Sequence, residues 1–287
     1  MKDVELIASY WTIAGGSVPH TGPEYSAFDF RDRVEASARA GFSGLGWWHA
    51  DLEHALEKYS YQELKQILAD NNIKYLELEF IIDWFSEGEN RIESDKRRKL
   101  LLEAAEKLDA RHIKIGNFFD IPTPMDKVVT EFSTLCSEAA ESGTNIVFEL
   151  IPWVTPGNLK DALTMVTTAD APNGGLMLDL WHLHSLKVSN DEVEKIPVQY
   201  IKGVELNDGP AMLANDGTWV DKTINHRLLC GEGEFDVRGF IGALDRAGYT
   251  GPFGLEVLNK DMRDNWSLED LVTRSYETTM SMFGDSP

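Results

Sequence analysis

Apolar runs of strand length alternate with amphipathic stretches of helix length along the whole chain, eight times over. The strand-like runs fall at residues 5–11, 42–48, 73–81, 112–117, 145–149, 175–182, 200–208 and 252–258. The stretches between and after them, at 28–40, 60–71, 94–109, 125–142, 158–169, 190–196, 235–247 and 267–282, carry helical periodicity and end signals such as Gly41 and Gly143. Strands that alternate with helices pair in parallel through right-handed crossovers. Eight such units with none left over predict one domain over residues 1–287, an α/β fold of the closed (β/α)8 TIM-barrel type. An open doubly wound sheet would want a G-x-G-x-x-G turn after its first strand, and Ala14-Gly15-Gly16-Ser17 does not supply one.

Four of the later strands carry an acid near the C-terminal end. In the fifth, alternation sends Phe148 and Leu150 to one face and Val147 and Glu149 to the other. The sixth puts Met177 with Asp179, the seventh Gly203 with Glu205, and the eighth Gly254 with Glu256. A charge inside a sheet is costly unless it is paired or binds a metal. One such acid is ordinarily the partner of a nearby base, but four at matching depth point to a shared metal site. Carboxylate oxygens are hard ligands, so Glu149, Asp179, Glu205 and Glu256 favour Mn²⁺ or Mg²⁺ over zinc. In a barrel of this type the reactive groups sit at that same end of the strands.

The balance of 48 acidic against 27 basic residues, a formal net charge of −21, speaks against nucleic acid or an anionic membrane as a partner. Cys136 and Cys230 lie far apart and form no C-x-x-C pair, so a reduced, cytoplasmic setting is expected and neither reads as a nucleophile. Residues 1–5 have no basic region leading into an apolar core, and no apolar run approaches the roughly 20 residues that span a bilayer. The expected partner is a small molecule, and homo-oligomeric assembly stays open.

The chain resembles the xylose isomerase-like barrels, which include sugar isomerases and epimerases, inosose dehydratases and apurinic endonucleases. The resemblance rests on Phe148-Glu149-Leu150, Leu178-Asp179-Leu180-Trp181-His182, Glu205-Leu206-Asn207-Asp208, Gly231-Glu232-Gly233-Glu234-Phe235-Asp236 and Leu255-Glu256-Val257. It implies that Glu149, Asp179, Glu205 and Glu256 are metal ligands, that Glu149 and Glu256 also move protons, and that His182 contacts substrate. Glu205 is a departure, since that position is more often histidine or glutamine, and its harder donor supports Mn²⁺ or Mg²⁺. The histidine ligands of the zinc endonucleases have no counterpart here.

Trp11, Trp47, Trp48, Trp84, Phe118, Phe119, Trp153 and Trp181 all fall at or just after predicted strand ends, as a wall for an apolar face of a substrate would. Trp11, Trp153 and Trp181 are candidate substrate contacts. Arg227 lies in the long polar segment 209–233, where a substrate clamp and a solvated surface arginine both remain open. With no basic, glycine-rich phosphate cradle, a neutral substrate is expected. The leading reading is a metal-dependent sugar isomerase or epimerase working through an enediolate. A metal-dependent lyase or dehydratase is the alternative, and a non-catalytic sugar-binding barrel the third reading.

Overall fold

The computed structural model describes residues 4–211 and 219–284. Its strands are β1 (Leu6–Ala8), β2 (Gly44–Trp48), β3 (Tyr75–Ile81), β4 (His112–Ile115), β5 (Asn145–Glu149), β6 (Gly174–Asp179), β7 (Ile201–Leu206) and β8 (Phe253–Leu255). Each pairs in parallel with the next, and β8 pairs with β1, closing the barrel. The predicted (β/α)8 architecture is therefore the observed one.

Local chemistry explains the punctuation. Ser60 caps the helix Tyr61–Asp70 through a capping box with Glu63, and Ser267 does the same with Asp270 for the helix Leu268–Met280. Asp236 caps the helix Val237–Ala247 by accepting from the Gly239 amide.

Several boundaries differ from expectation. β1 stops at Ala8, and Trp11 belongs to a short helix, Tyr10–Ile13, because the chain turns once Ser9 has entered the barrel. β6 stops at Asp179, whose side chain accepts from the Trp181 amide and starts the helix Leu180–Ser185, so Trp181 and His182 are helical and not on a strand. A helix, His49–Leu56, follows β2 directly and was not anticipated. The segment 209–233 includes the helix Trp219–Asn225, while residues 212–218 lie outside the described part of the chain.

Alternation divides each strand between two environments. Leu76, Leu78, Ile113, Ile146, Phe148, Leu176, Leu178, Val204 and Leu206 join the continuous apolar core packed against the helices. The other parity faces the barrel axis, and there the chain places charge: Glu77 and Glu79 from β3, His112 and Lys114 from β4, and the four later acids, all buried. The interior is thus a layered polar network in place of the branched apolar layers usual for such barrels. Two glycines make room for it. A Cβ on Gly46 would lie 2.7 Å from Glu79 Oε1, and one on Gly254 would lie 3.0 Å from Glu205 Cγ.

Candidate active site

Glu149 ends β5, Asp179 ends β6, Glu205 is the second-last residue of β7, and Glu256 follows β8 directly. One carboxylate oxygen from each lies within 4.8 Å of the others. All four are 5 % exposed or less.

Two permanent cations are built into the cluster. Lys114 Nζ lies 2.6 Å from Glu205 Oε1, 3.1 Å from Glu256 Oε1 and 3.4 Å from Glu79 Oε2. Arg227 Nη1 lies 2.8 Å from Asp179 Oδ2 and 3.0 Å from Glu256 Oε2, and its guanidinium sits over the Trp181 ring. His182 Nε2 stands between Glu149 Oε1 at 3.3 Å and Asp179 Oδ2 at 3.4 Å. Asn207 donates to Asp179 Oδ1 at 2.7 Å, and Ser9 to Glu205 Oε1 at 3.1 Å.

These contacts set the charge states. Burial works against the ammonium of Lys114, yet Glu205, Glu256, Glu79 and Glu149 together hold its pKa well above the ordinary lysine value. Burial would raise Asp179, but Arg227, His182 and Asn207 outweigh it and bring it down to about 2. Glu149 is lowered despite its burial, through Lys114 and His182. Burial pushes Glu79 up to about 7, with Lys114 opposing and Glu256 and Glu149 adding to the rise. Burial and Glu256 likewise push Glu205 well above the carboxylate range, against the pull of Lys114. A 2.6 Å contact with an ammonium favours the ionised carboxylate, so the raised affinity for a proton belongs to the acids as a group.

The donor set suits a divalent cation. Five carboxylates face two permanent cations, which leaves the pocket short of positive charge. Glu205 Oε2 is buried without a hydrogen-bond partner among the described residues, a costly state for a carboxylate oxygen. Hard oxygen donors of this kind match an ion such as Mn²⁺ or Mg²⁺.

Above the cluster opens a cavity whose floor includes Glu79, Glu149, His182, Arg227 and Glu256. Its walls are largely apolar, with Trp11, Trp48, Phe80, Phe118, Trp219 and Leu258 among them. Of the residues singled out from sequence as substrate contacts, Trp11, His182 and Arg227 line this cavity. Trp181 does not. It is fully buried beside the site, where it donates to Thr223 Oγ1 and backs Arg227. Trp153 also lies outside the lining, 43 % exposed and edge-on to Trp219. Arg227 is 2 % exposed, so the solvated-surface reading of it falls away. Trp47 and Trp84 are core residues, the first stacked on Phe30 and donating to Asp51. His49 and His112 are buried, and His184 stacks on Phe235. Both cysteines are free and buried, and burial raises their thiols to about 12, which removes them as nucleophiles.

Glu79 and Lys114 belong to the cluster and were not anticipated. The signal was present: Glu77 and Glu79 alternate with Leu76, Leu78 and Phe80, and Lys114 sits between Ile113 and Ile115, as Glu149 sits among apolar neighbours.

The chain is 28 % identical over 242 residues to 3-dehydroshikimate dehydratase of Pseudomonas putida, which covers 81 % of this chain but 36 % of that protein. The chain therefore spans about a third of the length of that dehydratase. It is 23 % identical over 253 residues to inosose isomerase of Halalkalibacterium halodurans, covering 80 % of this chain and 83 % of that one. Among solved structures, the IOLI protein with a bound zinc atom superposes with a TM-score of 0.83 at 17 % identity, over 97 % of this chain and 98 % of that one, a likeness of fold. No helix among the described residues is long and apolar enough to cross a membrane. The model of the xylose isomerase-like TIM barrel family matches residues 34–276, and the chain belongs to that family.

Proposed function

We propose that this protein is a divalent-metal-dependent enzyme that takes a proton from the carbon beside a carbonyl of a keto-sugar or cyclic keto-polyol, and that it is an isomerase or epimerase. The observation that carries this reading is the convergence of four buried carboxylates within 4.8 Å beneath a cavity, one of them with an unpartnered oxygen. Glu149, Asp179, Glu205 and Glu256 would hold the ion, which when bound supplies a Lewis acid for adjacent hydroxyl and carbonyl oxygens.

The remaining chemistry is assigned to the chain. Glu149 faces the cavity, and its Oε1 is the oxygen set by His182, so it is the carboxylate assigned to take the proton. Glu256, just after β8, three strands further round the barrel, is assigned to return it from another side. Asp179, fixed by Arg227, Asn207 and the Trp181 amide, stays ionised and is assigned to hold the ion. His182 positions Glu149 and Asp179 together. Similarity to inosose isomerase supports this assignment.

The lyase reading has its own support in the cavity walls. Trp11, Trp48, Phe80, Phe118 and Trp219 offer a broad carbon surface, more than the small C–H face of a free sugar covers. Such walls suit a substrate with a large apolar substituent, and the same proton removal would then expel a group from the next carbon. Similarity to a dehydratase points the same way.

The distinguishing experiment incubates the Mn²⁺-loaded protein with inososes, neutral ketoses, 3-dehydroshikimate and aryl keto-glycosides in D₂O. A product isomer carrying solvent deuterium supports the isomerase assignment. Release of water or of an aglycone replaces it with a lyase. Turnover without C–H cleavage refutes both.

A further inference from the structure

Lys114 occupies an unusual place. It touches Glu79 of the neighbouring strand β3 at 3.4 Å and reaches across the barrel to Glu205 of β7 at 2.6 Å and Glu256, just after β8, at 3.1 Å, with its side chain 1 % exposed. It is buried and is not among the residues that line the cavity, although Glu79 and Glu256, which it touches, are. Three carboxylates at contact distance is the environment a second cation has in a two-metal site, where ions about 3.5–4 Å apart share bridging carboxylates.

The two oxygens of Glu205 make the division plain. Oε1 accepts from Lys114 and Ser9, while Oε2 is buried and has no partner among the described residues. Glu256 is likewise shared, with Oε1 on Lys114 and Oε2 on Arg227. Glu79, which touches both the ammonium and the cavity, adds a fifth acid that a single ion and the four converging carboxylates do not call for. Five acids without Lys114 would have the ligand count and charge for two divalent ions.

We infer that the Lys114 ammonium is a fixed substitute for a second metal ion, so that the centre takes up one divalent cation and not two. The inference rests on the metal-centre reading above and goes beyond it in fixing the stoichiometry and the residue that sets it.

The test is a titration of chelator-stripped protein with Mn²⁺, read by calorimetry and electron paramagnetic resonance. The wild type should bind one equivalent with the spectrum of an isolated ion. Lys114→Met should bind two, with an exchange-coupled Mn²⁺ pair, and its Tm should rise with each equivalent. Lys114→Arg, which keeps the charge, should remain at one. Because removing Lys114 leaves the acids unbalanced, Lys114→Met/Glu79→Gln is made alongside it. That variant keeps the wild-type net charge, and it should still take a second, weaker equivalent through Glu205 and Glu256. Two equivalents in the wild type, or only one in both variants lacking Lys114, would overturn the inference while leaving the metal centre intact. No Mn²⁺ uptake by the wild type would overturn the metal centre and this inference with it.

Discussion

Replacing Arg227 by methionine removes one of the two permanent cations that touch the four-acid cluster and keeps much of the side-chain volume. The guanidinium is 2 % exposed and contacts Asp179 Oδ2 at 2.8 Å, Glu256 Oε2 at 3.0 Å and the Thr223 carbonyl at 3.2 Å. Breaking a buried ion pair from one side costs about 3–5 kcal/mol, because the partner charge stays behind. Here both acids keep other donors, Asp179 through Asn207 and Glu256 through Lys114, which places the cost near the lower end, about 3 kcal/mol. For a chain of this size about 2–3 °C of Tm accompanies each kcal/mol, so Arg227→Met should melt about 6–9 °C lower in EDTA at neutral pH. Scanning calorimetry measures this directly. Mn²⁺ should recover part of the loss, because a divalent ion restores positive charge at Glu256 and Asp179. A Tm within about 2 °C of wild type, together with a KM raised tenfold or more, would refute the argument. Arg227 would then be a substrate contact and not the clamp that holds two carboxylates in place.

Three further outcomes are expected. Glu149→Gln and Glu256→Gln should each lose turnover by about 10²-fold or more while still binding Mn²⁺ in calorimetry, since glutamine keeps an oxygen but cannot carry the proton; recovery with excess Mn²⁺ would make them ligands only. Asp179→Asn and Glu205→Gln should instead raise the Mn²⁺ Kd, with activity partly restored at high Mn²⁺; an unchanged Kd would remove them from the ligand set. His49, held down to about 3 by burial and by Arg97, takes up its proton in the unfolded chain near pH 6.5 but not in the folded one. Its contribution is therefore intact above pH 6.5 and lost as pH falls below it. At pH 5 the loss is about 2 kcal/mol, so His49→Gln should flatten the fall of Tm between pH 7 and 5, and parallel curves for the two proteins would contradict this.

The barrel and the four strand-borne acids were legible because both are written in short periods. A period-two pattern ending in Glu149, Asp179, Glu205 or Glu256 states which face the acid takes, and the eightfold alternation states where that face points. The same pattern in β3 and β4 went unread. An acid or lysine in a strand is ordinarily on a solvated face; Glu79 and Lys114 are register neighbours on adjacent strands, and only closure of the barrel brings Lys114 against Glu205 and Glu256, 91 and 142 positions away. Arg227 was ambiguous for a related reason. Its segment is polar and long, and its burial follows from contacts with the stretch after β8, where the Arg227 amide donates to the Leu258 carbonyl and the Asn259 side-chain amide donates to the Arg227 carbonyl. The tryptophans were legible as a group and not singly. Trp11 and Trp48 reach the cavity, whereas Trp47 stacks on Phe30; strand parity in β2 and the short helix after β1 set that difference, and Trp84, past the end of β3, packs against Phe132 and Phe148.

The central claim is that a cation held by the carboxylate cluster enables Glu149 to remove a carbon-bound proton. Solvent-deuterium incorporation into a turned-over keto-sugar or keto-polyol, followed by NMR in wild type and Glu149→Gln, tests it most directly. Incorporation, with or without elimination, should require Mn²⁺ or another divalent ion, vanish in EDTA, return on readdition, and fall by about 10²-fold or more in Glu149→Gln. Full exchange by protein verified as metal-free, or by Glu149→Gln, would contradict the account.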